Sequence, residues 1–379
     1  MLNETYRAML GHKSVIRETF MYGKQRAAEI GYENVFDYSL GNPSVPCPDK
    51  FTKAMQTLLA EEEPVALHGY CPSQGDPGFR TAVAAHLAKT FGLPYEQKDI
   101  FPTTGAAGAI AHAIRAVTKP GDEVLTFAPY FPEYGPYVEG TGAVLKVVPP
   151  QAPAFQPNLD AFEEMLTENV TCVLINTPNN PTGSVMTRET MAKIAELAVK
   201  HDLLVISDDV YNTLLYAGEE AHCIASFPGM RERTVIVNSF SKSYAMTGWR
   251  IGFVAAPVEI VDRMTKCQEN FNACANAPGQ YAATVALDHP ELCEELRQVF
   301  ERRRSILLDG LAKIDGIRCN RPNGAFYVFA DISSFGLSSV EFCNRLLDEQ
   351  KVVCIPGSAF GECGEGFIRI AYTCSDDNL

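Results

Sequence analysis

A chain of 379 residues, 46% hydrophobic and 21% charged, is long enough for two cores and too apolar to hold a large disordered segment. Its formal net charge of -14 excludes non-specific nucleic-acid binding, which needs a basic surface, but leaves room for a small anion in a local basic pocket. No run approaches the roughly 20 apolar residues that cross a bilayer, and the start "MLNETYRAMLGHKSV" has no apolar core of signal-peptide length, so a cytoplasmic protein with no membrane contact is expected.

In chain order, a helical segment around residues 14–30 comes first, and "FDYSLGNPSVPCP" then reads as a crossing into a larger unit. From about residue 98 to 256, short apolar runs alternate with helical patterns such as "MAKIAELAVKH". The runs "DEVLTFAP", "AVLKVVP", "VTCVLINT", "LLVISDD" and "TVIVNSF" are too continuously apolar for half-exposed strands. They predict an α/β fold with a mostly parallel sheet flanked by helices, whose ligands bind at the carboxyl ends of the strands. After Pro290, the residues Leu292, Leu296, Val299, Phe300, Leu307 and Leu311 recur at helical spacing. The run Glu301–Arg304 is expected largely on the wet face of that helix. Strand-like "GAFYVFADI", a helix around Val340–Glu349 and the strand "FIRIAY" complete a smaller α+β unit. The expected division is 46–285 for the large domain, with 1–45 and 286–379 forming the small one. The twelve cysteines are scattered, with no C-x-x-C pair and no zinc spacing, so reduced and mostly buried thiols and no metal site are expected.

Four features fall at predicted strand ends. In "TTGAAGAIAHAIRAV" a turn at Gly105 opens a helix of small residues, which suits either an anion at the helix start or close helix packing. "INTPNNPTG" sets two asparagines between prolines, a stiff segment that presents an amide or simply turns the chain. In "VISDDVYNTLLY", Asp208 ends an apolar strand with Tyr211 three residues on. A carboxylate there needs a cationic partner, and helix capping by Asp208 or Asp209 is the simpler reading of that segment alone. In "SFSKSYAMTGWRIGF", Ser239, Ser241 and Arg250 suit a dianionic phosphate. Lys242, among apolar neighbours and near a cation, has a depressed pKa and can serve as nucleophile or base. A phosphate cradle, a reactive amine, a carboxylate, a phenol and an amide together are what pyridoxal phosphate requires.

These segments resemble the class I/II aminotransferases of the fold type I pyridoxal-phosphate family, whose aspartate aminotransferase-like members share the S-x-S-K…G-x-R-[IV]-G and N-P-T-G signatures. The resemblance implies that Lys242 bonds to the cofactor, that Ser239, Ser241 and Arg250 bind its phosphate, and that Asn180 and Tyr211 donate to its ring oxygen. By the same match Asp208 pairs with the ring nitrogen, the Gly105–Ala106–Ala107 turn binds phosphate, and Phe131 stacks on the ring. "HGYCPSQGDPGFR" is similar to a segment whose tyrosine, here Tyr70, reaches the phosphate of a neighbouring subunit. A homodimer with active sites at the interface is implied. "EGFIRIAY" brings Arg369, and "YSLGNPS" brings Gly41, to the substrate α-carboxylate.

Three departures bear on substrate. One bacterial branch of aspartate aminotransferases reads the distal carboxylate with a lysine where Ala107 stands here. "FNACANAPGQ" lacks the arginine of another branch, leaving Arg17 or Asn276 as stand-ins. The chain stops at "SDDNL", which reads as a helix N-cap where relatives continue, so a shortened end is expected. The implied activity is ping-pong transamination between an L-amino acid and a 2-oxo acid, with aspartate, alanine or aromatic substrates and a place in amino-acid biosynthesis. Tyr70, Tyr130, Phe131 and Tyr134 are expected around the mouth, as interface packing or as a wall for apolar side chains. The enzymatic alternative is a β-eliminating C–S lyase on the same cofactor. A cofactor-sensing regulator would carry a DNA-binding region ahead of a match that here begins almost at once.

Overall fold

The computed structural model describes Arg7 and residues 15–151, 154–216 and 218–379. Seven strands form its larger sheet: β1 (Ile100–Thr103), β2 (Glu123–Phe127), β3 (Val144–Val148), β4 (Val170–Asn176), β5 (Leu204–Asp208), β6 (Thr234–Ser239) and β7 (Gly252–Ala255). Their spatial order is β1-β7-β6-β5-β4-β2-β3. Strands β6, β5, β4, β2 and β3 run parallel, and β7 is antiparallel to β1 and β6. The five apolar runs of the sequence are β2 to β6.

The helices used below are α1 (Val15–Ile30), α2 (Gly105–Val117), α3 (Tyr134–Glu139), α4 (Arg188–Lys200), α5 (Phe240–Ser243), α6 (Glu291–Leu311) and α7 (Ser339–Gln350). Helix α2 buries Ala109, Ile110, Ala113 and Ile114 against Val124, Leu174 and Val235 on one face of the sheet. Helix α4 buries Met191, Ile194 and Leu197 against Leu125, Val173 and Val205 on the other. Successive strand residues point to opposite faces, so a strand covered on both sides must be apolar at every position.

The smaller sheet joins β8 (Arg318–Cys319), β9 (Tyr327–Asp331), β10 (Ile355–Pro356) and β11 (Phe367–Ala371), antiparallel in the order β8-β9-β11-β10. Helix α1 belongs with it: Ile16 clusters with Phe329, Ile355 and Phe360. Residues 1–6 and 8–14 of the expected small domain, Ser14 of the expected helix included, lie outside the described residues.

Helix α6 corrects one expectation. Arg303 and Arg304 are only 7% and 3% exposed. Arg304 Nη1 donates to Pro322 O at 2.7 Å, and its guanidinium lies 4.2 Å over the Tyr216 ring. Arg303 pairs with Asp376 Oδ1 at 3.0 Å and donates to Thr373 O at 3.2 Å. Planar guanidinium heads met by carbonyls and a ring tolerate burial that the charge pattern alone does not reveal. The "SDDNL" segment closes in a 3-10 turn, Asp376–Asn378, held to this helix by Asp376.

All twelve cysteines are free thiols, five buried and seven half-buried, so full burial is less general than expected. Among the described residues no group of His, Cys, Asp and Glu could hold a metal ion, and no helix is long and apolar enough to cross a membrane.

Candidate active site

Register brings the four chemical segments to one edge of the large sheet. Asn176 pairs with Asp208, and Asp208 with Val237, at the carboxyl ends of β4, β5 and β6. Gly252, first residue of antiparallel β7, pairs with Ser239 on one side and Thr103 on the other. The Gly105 turn, the asparagine loop, Asp208 and the lysine segment therefore meet there. A cavity of about 350 Å³ opens at that edge, and the small sheet closes one side of it through Tyr327 and Arg369. Gly41, Ala106, Ala107, Phe131, Asn180, Asp208, Tyr211, Ser239, Ser241, Lys242, Arg250 and Arg369 all line it. Gly105 stands behind this wall, and Tyr70 lies outside it, 90% exposed.

Lys242 follows Ser239, which caps the short helix α5 by accepting from Ser241 N at 2.9 Å. The lysine Nζ donates to Gly41 O at 2.7 Å. Loss of hydration, then the positive charges of Arg369 and Arg250, lower its pKa to about 8 against the opposing pull of Asp208. Gly41 has no room for a side chain, since a Cβ would come within 1.8 Å of Tyr327 Oη.

Asp208 is buried at the end of β5, and Tyr134 donates to its Oδ2 at 2.6 Å. Its Oδ1 is buried without a partner among the described residues. Burial pushes its carboxyl up to about 6, although the Tyr134 bond, the Val210 N–H and Lys242 oppose this. Tyr211 Oη lies 2.9 Å from Tyr327 Oη.

The asparagine loop is braced internally. Asn179 Oδ1 accepts from Thr182 N and Oγ1 at 3.1 and 2.8 Å, and Asn180 N donates to Asn176 Oδ1 at 2.8 Å. Asn180 Oδ1 accepts from Arg369 Nη1 at 3.0 Å, which keeps its amide hydrogens for another acceptor. Arg369 is buried between the rings of Tyr327 and Phe360, at 4.6 and 4.8 Å, and also donates to Ser39 O.

At the start of α2, Thr104 makes no side-chain cap bond, so the first-turn N–H groups face the cavity region without that competitor. Gly105 has φ +68°, and a Cβ there would approach Arg250 Nη2 to 2.4 Å. Arg250 itself is held at φ 52°, left-handed backbone that costs an arginine about 1–2 kcal/mol. Its Nη1 donates to Thr247 O at 2.9 Å, fixing the guanidinium beside the helix start.

The sequence description "Aminotransferase class I and II" matches residues 33–379. The chain belongs to that family. This aminotransferase is 38% identical over 354 residues to the aromatic-amino-acid aminotransferase 2 of Thermococcus litoralis, covering 92% of this chain and 90% of that one. It is equally 38% identical over 354 residues to the aspartate aminotransferase of Pyrococcus abyssi, again covering 92% and 90%. The solved aspartate aminotransferase of Thermus thermophilus with maleate superposes with a TM-score of 0.91 at 30% identity, covering 100% of this chain and 96% of that one. The large mixed sheet and small antiparallel sheet are thus those of an aspartate aminotransferase-like fold. The β-eliminating alternative finds no support among these relatives.

The aminotransferase cavity departs from the expected mouth in several places. Only Phe131 of the four aromatic residues lines it. Tyr134 is fully buried beneath, on Asp208. Tyr130 N donates to Phe360 O at 3.2 Å, and its ring packs at Gly361. No helix follows Asp208, so neither Asp208 nor Asp209 is a cap; Asp209 accepts from Ser207 Oγ at 2.6 Å. Of the two stand-ins for distal-carboxylate recognition, Arg17 lines the cavity, whereas Asn276 caps the helix Ala277–Leu287. Sequence reasoning missed Glu133, Tyr137, Asn176, Thr247 and Tyr327 as cavity residues. Asn176 was visible as the last residue of an apolar run. Nothing in one sequence ties Tyr327, on the small sheet, to Tyr211.

Proposed function

We propose that this aminotransferase binds pyridoxal phosphate and moves an amino group from an L-amino acid to a 2-oxo acid, with aspartate-like or aromatic substrates. The observation that carries this reading is Lys242, half-buried in the cavity with its pKa lowered to about 8, beside a buried carboxylate with one bare oxygen. The cofactor fits these residues. Asp208 Oδ1 lacks a donor, which a protonated ring nitrogen supplies. The uncapped α2 start, Ser239, Ser241 and Arg250 offer N–H, hydroxyl and guanidinium donors to a phosphate. Asn180 and Tyr211 offer donors to a ring oxygen, and Phe131 a ring face.

When bound, pyridoxal phosphate supplies the carbonyl carbon that carries the amino group and a ring that withdraws charge from the substrate α-carbon. Lys242 is the residue that bonds to it at rest. Lys242 Nζ, once free, would take the proton from the substrate α-carbon and deliver it to the cofactor carbon that carries the amino group, roles that a pKa near neutrality allows. Arg369, oriented by Asn180, Tyr327 and Phe360, binds the substrate α-carboxylate, with the Gly41 backbone beside it. Buried Asp208 keeps a proton on the atom it faces.

The family relatives named for aspartate and aromatic amino acids support those two substrate classes, and an amino-acid biosynthetic role accords with them. Twelve free thiols suit a reducing cytoplasm. Tyr70, exposed beyond its own cavity, suits a homodimer in which it completes the partner's site. The domain division 46–285 against 1–45 with 286–379 is part of the same reading. To test it, the holoenzyme is mixed with single amino acids and no 2-oxo acid. One 2-oxo acid per site, without ammonia, is expected; ammonia release on repeated turnover would favour the lyase.

A further inference from the structure

Two charged side chains line the cavity without a part in the chemistry above: Arg17 on α1, and Glu133 at the N-terminus of α3. They differ in setting. Arg17 is exposed, so solvent screens its charge. Glu133 Oε2 is buried and has no hydrogen-bond partner among the described residues. Loss of hydration raises the Glu133 carboxyl above its ordinary range, against its own backbone N–H and the charges of Arg17 and Arg369. It therefore feels both Arg369 and the α1 wall at Arg17. Ile16 and Leu40 line the same cavity, and Ala107 brings no charge.

A bare acceptor in a wall that a ligand reaches is costly unless the ligand brings a donor. A second carboxylate is the wrong ligand for it, because two anions brought together in a partly desolvated site repel.

We propose that Glu133 is a specificity-determining residue whose free oxygen accepts from a hydroxyl or N–H at the end of a neutral aromatic side chain, the class tyrosine represents. Its negative charge disfavours a distal carboxylate. The proposal rests on the transamination reading above.

The test compares wild-type holoenzyme with Glu133→Leu and Glu133→Gln, measuring kcat/KM for tyrosine, phenylalanine and aspartate. Binding of the unreactive 3-(4-hydroxyphenyl)propionate and 3-phenylpropionate is measured in parallel by calorimetry. The wild type is expected to favour tyrosine over phenylalanine by about tenfold or more, as sites built around a polar contact do. Glu133→Leu brings that ratio, and the ratio of the two propionates, to about one. Glu133→Gln raises aspartate relative to phenylalanine by about tenfold. Ratios unmoved by Glu133→Leu, or a wild type that prefers aspartate to tyrosine, overturn the assignment while leaving transamination intact. A wild-type holoenzyme that releases no 2-oxo acid from any of the three overturns both readings. Should Glu133→Leu not fold, the aspartate ratio of Glu133→Gln decides: a rise supports the proposal, and no rise overturns it.

Discussion

Asp208 and Asp209 are buried and Lys242 half-buried at the cavity edge of the large sheet, and burial moves each toward its neutral form. The consequence is sharpest for Asp209, which touches no cavity and whose carboxyl is pushed up to about 8 by burial and by adjacent Asp208. A folded value above the ordinary 3.8 means its contribution to stability is complete below that value and is lost as pH rises to about 8. Asp209→Asn keeps an acceptor for Ser207 and removes the titration. Denaturant midpoints of the ligand-free proteins between about pH 4 and 8 should fall less for the variant, with a difference at pH 8 on the order of 3–5 kcal/mol. Parallel midpoint curves would contradict the buried charge. At this scale the sequence was informative where a residue type is chemically rare in its setting. A lone lysine between apolar runs and a carboxylate at a strand end stand out; the bond of Tyr134 to Asp208 and the free oxygen of Glu133 do not, because aromatic and acidic residues at a helix start have many ordinary uses.

Among elements, strands β2, β4, β5 and β6 were legible because each is covered on both faces and is apolar over most of its length, whereas edge strand β3, with Val144 and Lys146 exposed, was legible by its valines. The four residues of β1 and the pairs of β8 and β10 were not, since such short strands form through pairing with neighbours rather than by their own pattern. The helix Pro77–Phe91 carries both boundary signals, Asp76 accepting from Phe79 N at 2.7 Å and Gly92 in the left-handed conformation. Helix α6 gives the clearest failure, because periodicity marks apolar faces and says nothing of an arginine buried by hydrogen bonds. Arg304 offers the test. Arg304→Ala removes its bond to Pro322 O and its cover of Tyr216, and should destabilise by about 2–4 kcal/mol in equilibrium unfolding. Arg302→Ala, at an exposed pair, should leave the unfolding midpoint nearly unchanged. Equal costs would mean that the burial of Arg304 carries no weight.

For the whole molecule, the strands of the two sheets lie in separate core clusters that helix α6 bridges. Leu292 and Cys293, at the start of α6, cluster with Phe51, Phe79 and Phe240 of the large unit. From Leu296 onward the same helix packs with Phe326 and Ile370 of the small one. Val210 and Tyr211, just past β5, join that second cluster, so the cavity floor is shared between the units. The proposed homodimer is testable. Lys242→Ala and Tyr70→Ala each damage a site, but in a mixed dimer one site regains both residues and the other loses both. If Tyr70 completes the partner's site, subunit exchange at equal amounts should restore about a quarter of wild-type activity, the share of complete sites. Activity no higher than the mean of the two parents would mean that Tyr70 does not complete the partner's site.

The central claim is that Lys242 carries the chemistry at the carboxyl edge of the large sheet. It is tested most directly by titrating pyridoxal phosphate into wild type and Lys242→Ala, following visible absorbance and then adding an amino acid. The wild type should develop the absorbance of lysine-bound cofactor and lose it as 2-oxo acid appears. Lys242→Ala should show neither change beyond free cofactor. A variant that still develops that absorbance and turns over would contradict the assignment.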